Sequence, residues 1–160
     1  MSDYRSYLTK NGFLMLRDEL NHLLKVERPK VVTDVSWAAS NGDRSENGDY
    51  IYGKKRLRQI DSRVKYLLIQ IEDSTIVNPL EQVNKDQIFF GATVSYLNLS
   101  TNKNNTIQIV GVPEIDTAQN KISWISPIAK SLLGKRLGDI SIFETPSGDV
   151  EIEILEIKYV

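Results

Sequence analysis

Apolar residues recur at Phe13, Leu16, Leu20, Leu24, Val31, Val35 and Ala38. Steps of three, four and seven put such residues on one face of a helix. Thr9 stands ahead of the run, where its hydroxyl can accept an orphan backbone N–H, so the helix is expected to begin near Asn11. Pro29 deletes one backbone donor inside the run and bends the helix there. The pattern resumes at Val31, and a kinked helix over 12–40 is predicted. In the next segment Tyr50, Leu57, Ile60, Val64, Leu67 and Ile71 fall on a heptad seam interrupted only by Gly53. Two such helices joined by a short turn run antiparallel, seam against seam. Some 28 residues per helix, at about 1.5 Å each, give an arm roughly 40 Å long.

The pattern changes at Ser74-Thr75-Ile76-Val77-Asn78-Pro79-Leu80, where Asn-Pro ends regular structure. Strands are expected over 89–98, 106–112, 121–125, 139–144 and 150–157. In the last, Val150, Ile152 and Ile154 alternate with Glu151 and Glu153, the pattern of a sheet with one wet face. Ser126, Pro127 and Gly134 frame a short helix with cap, first position and stop. Thr145-Pro146-Ser147-Gly148 reads as a turn between the last two strands. The fold class expected is α+β: an antiparallel helical coiled coil over 1–78, then an antiparallel sheet with one short helix over 79–160.

Composition narrows the setting. With 160 residues, 41% hydrophobic and 26% charged, the chain fits a soluble globular protein. No apolar run approaches the roughly 20 residues of a membrane span, and the N-terminus lacks a secretory h-region. Zero cysteines exclude a disulfide framework and a thiolate metal site. A cytoplasmic location is expected. The net charge of -1 hides an imbalance: residues 1–78 carry 13 Lys+Arg against 11 Asp+Glu, and residues 79–160 carry 7 against 10. Within 51–66, Lys54, Lys55, Arg56, Arg58, Arg63 and Lys65 face only Asp61, which suits a polyanion.

The turn between the helices holds Asp43, Glu46 and Asp49. At a helix start, carboxylates three residues apart face the same way. Mg²⁺ takes one or two protein carboxylates plus waters and phosphate oxygens, so Asp43 and Glu46 suit a site completed by a partner. The same spacing is also the capping-box pattern, which gives both acids a purely structural task. Asp49 either helps electrostatically or solvates its helix. Lys54, Arg58 and Lys65 form one stripe flanked by Lys55 and Arg56, either a phosphate-binding surface or a solvated flank. Trp37, Tyr50 and Tyr52 can stack on bases, with packing between the helices the simpler role for Trp37 and Tyr50. His22 is the single histidine, read as a surface or seam residue, and no Gly-rich phosphate loop or nucleophile–histidine pair occurs. A self-contained hydrolase is therefore not expected.

The run Trp37-Ala38-Ala39-Ser40-Asn41-Gly42-Asp43-Arg44-Ser45-Glu46-Asn47-Gly48-Asp49-Tyr50, followed by Lys54 to Arg63, closely resembles the bacterial Gre transcript cleavage factors, the GreB type in particular. Glu27-Arg28-Pro29, Phe89-Phe90-Gly91-Ala92-Thr93-Val94, Ile109-Val110-Gly111, Ile125-Ser126-Pro127-Ile128-Ala129 and Thr145-Pro146-Ser147-Gly148 extend the likeness over the chain. The resemblance implies a coiled-coil arm and a C-terminal FKBP-like domain without isomerase function. That domain would grip the rim of the RNA polymerase secondary channel while the arm descends to the active site. Asp43 and Glu46 would help hold a catalytic Mg²⁺ that belongs mainly to the polymerase, and would orient the attacking water. The polymerase would then cleave the 3′ segment of backtracked RNA, with this chain a catalytic cofactor rather than an enzyme. Ser45 and Asn47 would shape the tip, and Lys54, Lys55, Arg56 and Arg58 would contact the extruded RNA. Gly48 departs from the alanine more usual there, loosening the first helical turn without removing a ligand. A monomer is expected. Two other readings stay open: a channel-binding regulator that does not cleave, and an RNA-holding coiled coil unrelated to polymerase.

Overall fold

The computed structural model describes residues 6–42 and 46–160. The chain divides into two compact units, one of Leu14–Ser74 and the other of Met1–Phe13 with Thr75–Val160. No helix among the described residues is long and apolar enough to cross a membrane.

The helical unit follows from two amphipathic runs. Helix α1 spans Lys10–His22 and α2 spans Arg28–Ala39, and between them Leu23–Glu27 forms a π turn. The turn is closed by the Arg28 N–H on the Leu23 carbonyl. Pro29 cannot donate to a residue one α-turn back, and its ring crowds that carbonyl. The wide turn gives the ring room, so the helix continues through the expected kink. It also inserts one extra residue into the apolar phase. Leu23 is therefore buried, and Leu24, expected on the inner face, is 43% exposed.

Helix α3 spans Gly48–Asp73, 26 residues and about 39 Å long. Ile60 and Leu67 are buried on its inner face, and so is Gly53. Gly53 completes the seam instead of interrupting it: 50, 53, 57, 60, 64, 67 and 71 alternate by three and four. A Cβ added there would stand 2.5 Å from Val35 Cγ2. The absent side chain is what lets the two backbones approach. The helices run antiparallel, because partners on one ascend as those on the other descend: Arg63 binds Glu19 at 2.9 Å, Arg28 binds Asp61 at 2.9 Å, and Asn47 reaches the Ala38 carbonyl at 2.7 Å.

In the other unit, β1 (Ser6–Thr9) pairs with β2 (Ser74–Val77), a two-stranded sheet the apolar pattern does not announce. A five-stranded sheet has the order β5-β4-β3-β7-β6: Lys121–Ser123, Lys103–Val110, Thr93–Asn98, Gly148–Lys158 and Ile140–Thr145. The sheet is mixed, not wholly antiparallel as expected, because β5 lies parallel to β4. A parallel neighbour needs a crossover; two short 3₁₀ turns at Val112–Glu114 and Thr117–Gln119 carry it. Along β7, Ile152 and Ile154 point inward; then the register shifts so that Ser95 pairs Glu156 while Tyr96 pairs Ile154. The bulge at Leu155 resets the alternation and brings Tyr159 into the core. Helix α4 (Pro127–Leu132), capped by the Ser126 hydroxyl, adds Ala129 and Leu132 to that core. Pro146 and Ser147 close the β6–β7 hairpin, with Gly148 at φ +124.

Glu114 ties β1 down. Its carboxylate accepts the Thr9 N–H at 2.9 Å, the Thr9 hydroxyl, and the Gly111 N–H at 2.8 Å. The Thr9 hydroxyl oxygen in turn accepts the Gly12 N–H at 3.0 Å, capping α1 as expected. A Cβ at 12 would displace the Glu114 carboxylate from its bonds, and one at 111 would meet the Tyr7 carbonyl, a backbone atom that cannot move aside.

Candidate functional site

Asp43 and Ser45 lie outside the described residues. The turn around them is built from both helix ends. Helix α2 ends at Ser40, whose hydroxyl donates to the Trp37 carbonyl at 2.6 Å. Gly42 then takes φ +127, a conformation open to glycine and strained for other residues. On the far side α3 starts at Gly48 and its cap is Asn47. The Asn47 Oδ1 accepts the Tyr50 N–H at 3.1 Å, and its Nδ2 donates to the Ala38 carbonyl at 2.7 Å. One amide thus satisfies an orphan donor of α3 and gives the Ala38 carbonyl of α2 a second bond beside the Asn41 N–H at 3.1 Å.

That arrangement removes the capping-box account of the acids. Glu46 precedes the cap, in a turn, and is exposed. The helical i, i+3 argument for Asp43 and Glu46 does not apply, because the helix begins two residues later than Glu46. Glu46 forms no ion pair with any described residue and stands two positions ahead of the first residue of α3. Its hard oxygens suit Mg²⁺, yet one or two carboxylates leave most of an octahedral shell to other ligands. Asp49 is exposed in the first turn of α3.

The basic stretch splits into two populations. Arg56 is half-buried and donates to Glu27, through Nε at 2.8 Å and through its terminal nitrogen. Arg63 makes a fork with Glu19 at 2.9 and 3.0 Å and lies 5.2 Å from the Tyr66 ring centre. The one acid of the stretch, Asp61, is neutralised by Arg28, which holds its carboxyl below the usual carboxylate range by hydrogen bond and charge. Lys54, Lys55, Arg58 and Lys65 are exposed, with no ion pair among the described residues. The free positive charge is therefore narrower than the sequence suggests, and Arg56 is a strut between helices.

Trp37 departs from the packing role expected of it: it is 64% exposed, and Tyr52 is 70% exposed. Both line an open groove with Val31, Asp34, Asp49, Gly53 and Arg56. Sequence reasoning passed over this groove, although 31, 34 and 37 on α2 and 49, 52, 53 and 56 on α3 carry helical spacing. His22 is exposed.

Two family models match the chain. "Transcription elongation factor, N-terminal" covers residues 6–76, and "Transcription elongation factor, GreA/GreB, C-term" covers residues 83–159. A transcription elongation factor GreB of Neisseria meningitidis is 50% identical over 99% of this chain and 97% of its own. The GreB of Haemophilus influenzae is 46% identical over 96% of each chain. A GreA of Yersinia pestis is 37% identical over 96% of this chain and 97% of its own.

Proposed function

Since the chain belongs to the GreA/GreB family of transcription elongation factors, acting on RNA polymerase and of the GreB type, we propose that it is a catalytic cofactor for transcript cleavage. In this reading the helical hairpin is a coiled-coil arm that enters the polymerase secondary channel from the cytoplasm. An FKBP-like sheet unit docks at the channel rim. Asp43 and Glu46 lend carboxylate oxygens at the active site to Mg²⁺ held mainly by the polymerase, and help place the attacking water. When bound, that ion supplies charge stabilisation and an activated water for phosphodiester hydrolysis. Lys54, Lys55 and Arg58 hold the extruded 3′ RNA by its phosphates, with Arg56 contributing mainly through the arm's stiffness. Asn47, with Ser45, fixes the loop that carries the acids.

The observation that carries this reading is the position of Glu46: exposed, outside the helix, and beside an asparagine that locks both helix ends. A structural cap would have consumed it. The test is cleavage on a backtracked elongation complex with Mg²⁺. Asp43→Asn and Glu46→Gln are each expected to abolish cleavage while leaving polymerase binding intact. Unchanged cleavage by the double variant overturns the assignment.

A further inference from the structure

The hairpin has two unlike flanks. At about 100° per residue, Asp49, Tyr52, Gly53 and Arg56 gather on one side of α3, while Lys54, Arg58 and Lys65 lie roughly half a turn away. On the first side is the groove lined by Val31, Asp34, Trp37, Asp49, Tyr52 and Gly53. Gly53, whose missing side chain lets α3 close on Val35 of α2, contributes bare backbone to its lining. Among the described residues its one cation, Arg56, is committed to Glu27. Asp34 and Asp49 are exposed and make no ion pair with a described residue.

Two exposed aromatic rings beside two free carboxylates select a particular occupant. Phosphates are repelled by the acids and attracted to the opposite flank. A neutral apolar side chain would leave both carboxylates unused. A guanidinium stacks on Trp or Tyr faces and donates in-plane hydrogen bonds to carboxylate oxygens. At about 290 Å³ the groove falls at the lower edge of small-molecule pockets, with room for one long side chain. We propose that this groove is a docking site for an arginine side chain of a protein partner. Resting on the function proposed above, that partner is the polymerase, so that RNA and protein wall address opposite flanks of the arm.

The experiment has one arm that needs no polymerase. In the full chain carrying Trp124→Phe, Trp37 is the remaining tryptophan. Titration with an arginine-rich peptide is expected to give a saturable change in its emission. Asp34→Asn with Asp49→Asn should weaken that response at least about ten-fold, a 1.4 kcal/mol difference. Single-stranded RNA should leave the Trp37 signal unchanged. In the second arm, the same double variant and Tyr52→Ala are each expected to weaken binding to core polymerase free of nucleic acid, with circular dichroism unaltered. An RNA response at Trp37, or a peptide response indifferent to the two acids, overturns the groove proposal even where cleavage stimulation is normal. A peptide response that depends on the two acids, together with polymerase binding unchanged in the double variant and in Tyr52→Ala, overturns only the polymerase as partner. A wild-type chain that binds polymerase but stimulates no cleavage overturns the function proposed above and leaves the groove proposal standing.

Discussion

Asn47 holds two helix ends with one side chain, through an acceptor on the Tyr50 N–H and a donor on the Ala38 carbonyl. Removing an N-cap side chain typically costs about 1 kcal/mol, and here the second bond is lost as well. Asn47→Ala is therefore expected to lower hairpin stability by at least about that amount in urea unfolding. Asn47→Asp, which keeps the acceptor and loses the donor, should fall between. Gly53 is a second position where one residue type is dictated by its surroundings. Alanine gains about 1 kcal/mol of helix propensity over glycine, but its Cβ would stand 2.5 Å from Val35. A double-mutant cycle is expected to show this coupling: Gly53→Ala should stabilise the Val35→Ala background more than the native one. Equal effects in both backgrounds would contradict the close approach.

At the scale of elements, the β1 attachment depends on one carboxylate. Glu114→Ala strands the Thr9 N–H, the Thr9 hydroxyl and the Gly111 N–H together. Leaving partly buried donors unmet costs about 1–3 kcal/mol apiece before water compensates, so a clear drop in thermal midpoint is expected. Between α2 and α3, the Asp61 carboxyl titrates lower in the fold than alone, because of Arg28. The stabilisation is therefore present above the ordinary carboxyl range and lost as pH falls through it. Asp61→Asn should slightly flatten the acid limb of stability against pH, the pair being largely exposed. These elements differ in how far the sequence reveals them. Helix α3, helix α4 and the β6–β7 hairpin carry their signals locally, in heptad spacing, Ser-Pro capping and a Gly-closed turn. The parallel placement of β5, the β1–β2 pair and the π turn depend on partners far along the chain or on a ring's collision with a carbonyl. No local pattern encodes the two pairings, while for the π turn Pro29 announces a bend but not the extra residue that relieves it. Asn47 was legible as a turn residue but not as the cap, since Asp43 and Glu46 offered the same spacing.

For the whole molecule, charge is sorted by unit and again by flank. Residues 1–78 carry 13 basic against 11 acidic side chains, and 79–160 carry 7 against 10. Replacing Lys54, Lys55 and Arg58 by alanine should leave the melting temperature nearly unchanged, since none is ion-paired among the described residues. It should reduce the salt dependence of RNA contact by a log–log slope of about 2, at roughly 0.7 per phosphate released. Arg56→Ala should do the reverse, lowering the melting temperature through the lost Glu27 contact. If both variants behave alike, the division between free and committed cations fails.

The π turn at Leu23–Glu27 has a consequence well away from itself. One surplus residue in a helix turns everything downstream by about 100°. Asp34 and Trp37 therefore owe their azimuth to a proline one to two turns upstream, and Pro29 works as an indexing pin for that face. A relative with an ordinary helical turn there, but with the same loop sequence, would aim its aromatic side in a different compass direction. Sequence identity near the acids alone is then a poor guide to which wall such a hairpin faces.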